Sequence, residues 1–88
     1  MTEERTHEFM FNGLQVGCFE EAFPRSPGRY RYMPYRSGGH YEMHKQRRAN
    51  GGARCYYDSG GTRVSFMVTD CPEYGVLELH DFETSPQP

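Results

Sequence analysis

The chain has 88 residues, a net charge of −2 and only 35% hydrophobic residues, although 15% of its residues are aromatic. This length suits one domain with one core, and the aromatic content favours a folded chain over a disordered one. No apolar run approaches the roughly 18 residues of a membrane-spanning helix. The polar N-terminus is unlike a secretory signal, and three cysteines make neither an even disulfide framework nor a Cys-x-x-Cys zinc pattern. We therefore expect a cytoplasmic protein.

Turn residues divide the chain about every ten positions, a spacing typical of antiparallel β-structure. The predicted strands are residues 7–11, 14–19, 29–35, 40–47, 53–58, 62–70 and 76–83. The clearest turn is Asn12-Gly13, because both positions of a two-residue hairpin turn need positive φ. Gly-Gly pairs at 38–39, 51–52 and 60–61 also indicate hairpin turns, and residues 71–75 form the last predicted turn.

These elements predict an all-β fold, a single small antiparallel meander of about six to seven strands that forms a curled sheet or small barrel. The β domain spans residues 1–83, and residues 84–88 are expected to be a disordered tail. Alternation places Val64, Phe66 and Val68 on one face of their strand. Cys18 and Cys55 share faces with apolar neighbours, so we expect both to be buried as small hydrophobic residues.

Charge is distributed unevenly along the chain. Residues 25–54 carry eight basic residues and one acidic residue, whereas residues 1–24 and 55–88 have net charges of −4 and −5. The basic strands could pair with acidic strands across the sheet, or they could form a surface that binds phosphate or an acidic partner. The second interpretation predicts a non-catalytic binding module that uses the basic, aromatic-rich region 25–54. Its candidate partner-binding residues are Arg29, Arg31, Tyr35, Arg36, Tyr41, Lys45, Arg47 and Arg48.

Two kinds of partner compete for this region. The first is a protein, either a second copy of the chain or an acidic protein, with Tyr and Arg as anchors. The alternative is nucleic acid, with arginines on phosphates and Tyr35 or Tyr41 stacked on bases. The protein partner ranks first, because the isoelectric point is about 6.0, whereas dedicated nucleic-acid domains usually exceed about 9. We expect no membrane partner.

A third alternative is a metal-dependent enzyme around His40, Glu42 and His44, which share one face of the predicted strand 40–47. Neighbours at i and i+2 could share an ion, but the outer pair would be roughly 13 Å apart. A complete site would need ligands from another strand. We therefore expect a solvated polar face with no metal or cofactor, and the spacing identifies no catalytic residues.

Overall fold

The computed structural model describes residues 5–21, 27–70 and 75–87. Within these residues, six antiparallel strands form a closed barrel and one helix lies between the third and fourth strands. The elements are β1 (Arg5–Phe11), β2 (Leu14–Glu21), β3 (Gly28–Pro34), α1 (Gly38–Asn50), β4 (Ala53–Ser59), β5 (Thr62–Asp70) and β6 (Val76–Pro86). The predicted all-β class and small barrel are confirmed.

The barrel consists of two three-stranded meanders, β1-β2-β3 and β4-β5-β6, which α1 connects. They close on each other where β3 pairs with β6 and β1 pairs with β4. The Asn12-Gly13 hairpin is confirmed, with φ of 50° and 79° at its two turn positions. The turn at Gly60 and Gly61 is likewise confirmed, with φ of 57° and 82°.

The core lies inside the barrel and follows the predicted alternation. Val64, Phe66 and Val68 of β5 are buried, and so are Leu77 and Leu79 of β6. Complete burial of such side chains stabilises the fold by about 1.5–3 kcal/mol each. The barrel interior is therefore a packed core rather than a ligand channel.

The predicted strand 40–47 is wrong, because these residues belong to α1. Ser37 is the N-cap, and its side-chain oxygen accepts a hydrogen bond from the backbone N–H of His40 at 3.3 Å. Gly51 ends the helix in the left-handed conformation (φ 78°) and donates its N–H to the carbonyl of Arg47. The segment between these caps is rich in helix formers and lacks β-branched residues, so the local sequence favours a helix over a strand.

Helix α1 packs at the end of the barrel where β1 turns into β2, which we call the helix end. Gly39 lies directly against the backbone of Leu14 and Gln15, and Met43 is completely buried in the core. Tyr41, two residues earlier on the same helix, is 60% exposed. The helical period, not the strand period, separates these two side chains.

Strand β6 extends further than its pattern predicts. Thr84 pairs with Val64, and Pro86 pairs with Thr62, so residues 84–86, expected in the tail, continue the strand. The predicted turn at 71–75 lies outside the described residues except for Gly75. No helix in the described part of the chain is long and apolar enough to cross a membrane.

Candidate functional site

The basic residues of the strands are found on the outer wall of the barrel. Arg29 and Arg31 are exposed on β3, and Arg31 forms an ion pair with Glu20 at 3.6 Å. Arg54 of β4 pairs with Glu83 at 3.7 Å. Arg31 and Glu20 thus lie on adjacent strands, in the manner of the predicted pairing of basic with acidic strands, whereas β5 separates the strands of Arg54 and Glu83.

The basic residues of α1 have a different environment. Tyr41, Lys45 and Arg48 follow the i, i+4, i+7 spacing of one helix face and are all exposed. We call these three residues the outward face of α1. The ion pairs within the described residues include neither Lys45 nor Arg48. The outward face therefore presents uncompensated positive charge beside an exposed aromatic ring.

A cleft of about 390 Å³ opens beside α1, on the flank between its outward and buried faces. Its lining residues are Tyr32, Pro34, Tyr35, Arg36, His40, His44 and Gly75. We call it the helix-end cleft. Aromatic and imidazole rings form most of its walls, and the volume is in the range of small-molecule sites.

Two histidines and a tyrosine lie in contact within this cleft. His40 and His44 are four residues apart on α1, and their ring centroids are 4.5 Å apart. The hydroxyl of Tyr32 hydrogen-bonds Nδ1 of His40 at 2.5 Å. The predicted common face of His40, Glu42 and His44 is wrong, because the helix turns Glu42 away from both histidines into solvent.

Both histidines are held in their neutral form at neutral pH. Burial lowers the pKa of His40 below its ordinary value of 6.5. Burial also lowers the pKa of His44, to about 4, and the neighbouring His40, Arg47 and Arg48 add to this effect. Burial is therefore the main reason that both rings stay neutral, and nearby arginines contribute at His44.

Two further predicted site residues flank the cleft. The phenol of Tyr35 donates a hydrogen bond to Glu8 at 3.0 Å, and this bond, with burial, raises the pKa of Tyr35 to about 12. Nε of Arg47 is buried and has no hydrogen-bond partner. The hydroxyl of Tyr35 is thus already engaged, whereas Arg47 retains an unused donor.

Metal ligation was the third sequence-based hypothesis. Within residues 5–21, 27–70 and 75–87, no group of three or more His, Cys, Asp or Glu side chains is placed to hold an ion. His40 and His44 share their side of α1 with cationic side chains. Neutral imidazoles can bind a metal ion, but the described residues bring no third ligand to this pair, and the nearby arginines repel a divalent cation.

The opposite end of the barrel contains a second histidine cluster. His7 contacts Glu21 at 2.6 Å and stacks on the ring of Tyr57 at 4.1 Å. The hydroxyl of Tyr57 also donates to Glu21, at 3.4 Å. We call this the far-end cluster. Its buried carboxylate has partners on two strands, which is the usual condition for a buried charge.

The two described thiols agree with the sequence analysis. Cys18 and Cys55 are free and buried, as predicted. Burial raises the pKa of Cys55 to about 12. This thiol is therefore a protonated core residue rather than a nucleophile.

Tyr32 is a site residue that was not predicted from the sequence. It is a core residue with 8% exposure, but its hydroxyl reaches the helix. A helical interpretation of 38–50, signalled by Ser37 and Gly51, would have paired His40 with His44. No family model, no curated protein and no solved structure matches this chain.

Proposed function

We propose that this protein is a non-catalytic binding module that takes an acidic segment of a partner protein on the outward face of α1. The observation that carries the proposal is the contrast between paired and unpaired cations. Arg31 and Arg54 each form an ion pair with a carboxylate of another strand, whereas Lys45 and Arg48 do not within the described chain. Exposed charges without local partners are the ones that can attract and orient a ligand of opposite sign.

The chemistry of the outward face suits a short acidic peptide. Lys45 and Arg48 supply charge, and Tyr41, at 60% exposure, supplies an aromatic surface for one apolar side chain of the partner. Tyrosine and arginine are enriched among residues that dominate protein interfaces. The rigid helix presents all three side chains without a loop that must first become ordered.

Nucleic acid and a second copy of the chain are the competing partners. Single-stranded nucleic acid is bound by a series of exposed rings interleaved with cations. Here the ring of Tyr32 lies in the barrel and the hydroxyl of Tyr35 is bonded to Glu8, so Tyr41 is the aromatic residue best placed to stack. An acidic peptide needs only one such ring, and we therefore favour it.

The proposal includes a cytoplasmic location. The free thiols of Cys18 and Cys55 support it, because thiols persist in reducing compartments.

The test is fluorescence anisotropy with a short labelled peptide rich in glutamate and containing one phenylalanine. A single-stranded oligonucleotide of similar charge is the comparison probe. The variant is Lys45→Glu with Arg48→Glu, which reverses the charge of the outward face. The matched control is Arg31→Gln with Arg54→Gln, which removes two cations that already have partners.

We expect the wild-type protein and the control to bind the peptide with affinities within about twofold, because charges compensated in the free protein contribute little to a new interface. Charge reversal should weaken binding by about 30-fold or more. The absence of peptide binding at low salt, equal binding by the charge-reversed variant, or binding of the oligonucleotide alone would each overturn the proposal. Sedimentation as a dimer that Lys45→Glu with Arg48→Glu dissociates would assign the outward face to self-association instead.

A further inference from the structure

The helix-end cleft is separate from the outward face of α1 and has its own chemistry. It lies on the flank of the helix that carries His40 and His44, and it continues over Pro34 and Arg36. The rings of Tyr32, His40 and His44 lie within 4.5–6.3 Å of one another, measured between centroids. These rings give the cleft flat walls that suit a planar apolar group.

The arginines that act on His44 are positively charged in the described chain, while the carboxylate of Glu8 contacts the hydroxyl of Tyr35, another lining residue. Arg36 lines the cleft, and the positive charges of Arg47 and Arg48 help to lower the pKa of His44. The ion pairs and hydrogen bonds of the described residues bring no carboxylate to Arg36, His40 or His44. A bound anion would balance the positive charge of these arginines, whereas a metal cation would be repelled by them.

Hydrogen-bond donors remain available for such an anion. Nδ1 of His40 is bonded to the hydroxyl of Tyr32, so Nε2 is the ring nitrogen left for a ligand. The guanidinium of Arg36 can donate two parallel hydrogen bonds to a carboxylate or a phosphate. Nε of Arg47 is a buried donor without a partner on the same side of the helix.

We propose that the helix-end cleft binds a small organic anion, with its carboxylate or phosphate on Arg36 and the His40–His44 pair and its flat apolar body against Tyr32 and Pro34. This site is distinct from the acidic-peptide surface of the proposed function and does not depend on it. A volume of about 390 Å³ accommodates a ligand with one aromatic ring and its anionic group.

Binding should be coupled to a proton on His44. The described groups around this ring are Tyr32 of β3, Tyr35 and Arg36 of the segment before α1, and His40, Arg47 and Arg48 of α1. Beyond Tyr35 lies the carboxylate of Glu8 on β1, which accepts the hydrogen bond of the Tyr35 hydroxyl. An anion beside these cations offsets their effect, so the pKa of His44 must rise from about 4 when the cleft is occupied. By linkage, affinity then increases as the pH falls through the raised pKa toward 4.

The experiment is an NMR titration that follows the imidazole resonances of His40 and His44. Phenyl phosphate and benzoate are the test probes, which distinguish phosphate from carboxylate. Inorganic phosphate supplies charge without a ring, and phenol supplies a ring without charge. Arg36→Gln and His44→Phe are the site variants, and Arg54→Gln on the β4 wall is the matched control.

We expect one of the two ring-bearing anions to bind at least about tenfold more tightly than inorganic phosphate or phenol, because each of these has only half of the proposed contacts. The bound anion should raise the pKa of His44 by at least about one unit. Arg36→Gln should weaken binding by about tenfold or more, while Arg54→Gln should not change it.

Three outcomes would overturn the inference. These are unmoved resonances of His40 and His44 in the presence of the ring-bearing anions, binding of phenol as tight as that of phenyl phosphate, and wild-type affinity of the Arg36→Gln variant. Arg36 is exposed, so its variant should fold normally, and the unchanged resonances of the far-end cluster will verify this. Peptide binding by the outward face is measured separately, so one proposal can fail without the other.

Discussion

The two ends of the barrel each contain a histidine stacked on a tyrosine, but only one of these clusters contains a carboxylate. In the far-end cluster, Glu21 contacts His7 and accepts a hydrogen bond from Tyr57. At the helix end, Tyr32 bonds His40, and His44 lies beside that pair. No described carboxylate joins the helix-end group, whose nearby charges are arginines.

This difference separates a structural cluster from a candidate site. The far-end residues satisfy one another and are largely buried, so they hold β1, β2 and β4 together. The helix-end residues line an open cleft with unused donors and nearby arginines. Titratable groups in a cleft whose pKa is shifted by burial, and which have no partner within the protein, are candidates for contact with an external ligand.

The largest effect should come from the contact that holds the helix against the barrel. A Cβ at Gly39 would overlap the carbonyl of Gln15 and lie 2.9 Å from the carbonyl carbon of Leu14. Both contacts are with backbone atoms, so Gly39→Ala must displace the helix from the barrel. This displacement should lower the free energy of unfolding by about 3 kcal/mol. Gly38→Ala is the matched control, because its Cβ would meet no atom within 4 Å.

Urea unfolding of both variants measures this effect. Gly38→Ala should be neutral or stabilising by up to about 1 kcal/mol, since alanine is the better helix former. If the two variants were equally stable, α1 would not be packed on β2 as described, and the helix-end cleft would not exist in this form.

The second prediction contrasts the two clusters directly. Glu21→Ala leaves His7 and Tyr57 without their shared partner in a buried setting and should cost about 2 kcal/mol. His44→Phe keeps a ring of similar shape at a position to which the described residues bring no hydrogen-bond partner, so stability should change by less than about 0.5 kcal/mol. The free energy of unfolding is measured in urea for both variants. A larger loss for His44→Phe than for Glu21→Ala would contradict the comparison.

The third prediction concerns pH. The pKa of His44 is about 4 in the folded protein and 6.5 for the ordinary side chain. The unfolded chain therefore binds more protons between these values, and stability must fall as the pH falls from about 6.5 to about 4. Because the ring is partly open to water, we expect a loss of about 1 kcal/mol.

The free energy of unfolding in urea is measured at pH 7 and pH 4.5 for the wild-type protein and for His44→Phe. The loss due to His44 is the decrease seen in the wild type minus the decrease seen in the variant. Subtraction removes the contributions of the carboxylates, which both proteins share. Parallel pH dependences for the two proteins would contradict the account of His44.

The smallest effect should be found on the wall of the barrel. Arg31 is 81% exposed and its pair with Glu20 is long, at 3.6 Å. Arg31→Gln should therefore change the free energy of unfolding by less than about 0.5 kcal/mol. A larger loss in urea unfolding would mean that wall arginines are structural, which would weaken the distinction between wall and helix cations.

The strands could be predicted because their signals are local. Alternation of Val64, Phe66 and Val68 and the Asn12-Gly13 turn each specify geometry within a few residues. The helix was not predicted because Met43 is the single large apolar residue that α1 buries, so its sequence shows little helical periodicity of hydrophobic residues. The cap residues Ser37 and Gly51 were the available signal, but the Gly-Gly pairs were interpreted as hairpin turns. That prediction holds for Gly60-Gly61 and is wrong for Gly38-Gly39, which begin α1, and for Gly51-Gly52, which follow it.

The site could be predicted only in part, for the same reason. The basic segment and its histidines are visible in the sequence, but a strand period and a helix period place them on different faces. The bond from Tyr32 to His40 joins β3 to α1 and follows from packing rather than from spacing. The far-end cluster likewise joins residues of three strands, and no short sequence motif indicates it.

The contrast between the two ends of the barrel depends on His40 and His44 having no carboxylate in contact with either ring among the described residues. The most direct measurement is the pKa of His44 in the unliganded protein, followed through its imidazole resonances by NMR. We predict a value of about 4, with Arg47→Gln shifting it upward. A value at or above 6.5 would show that a negative group already balances the cleft and would contradict the account.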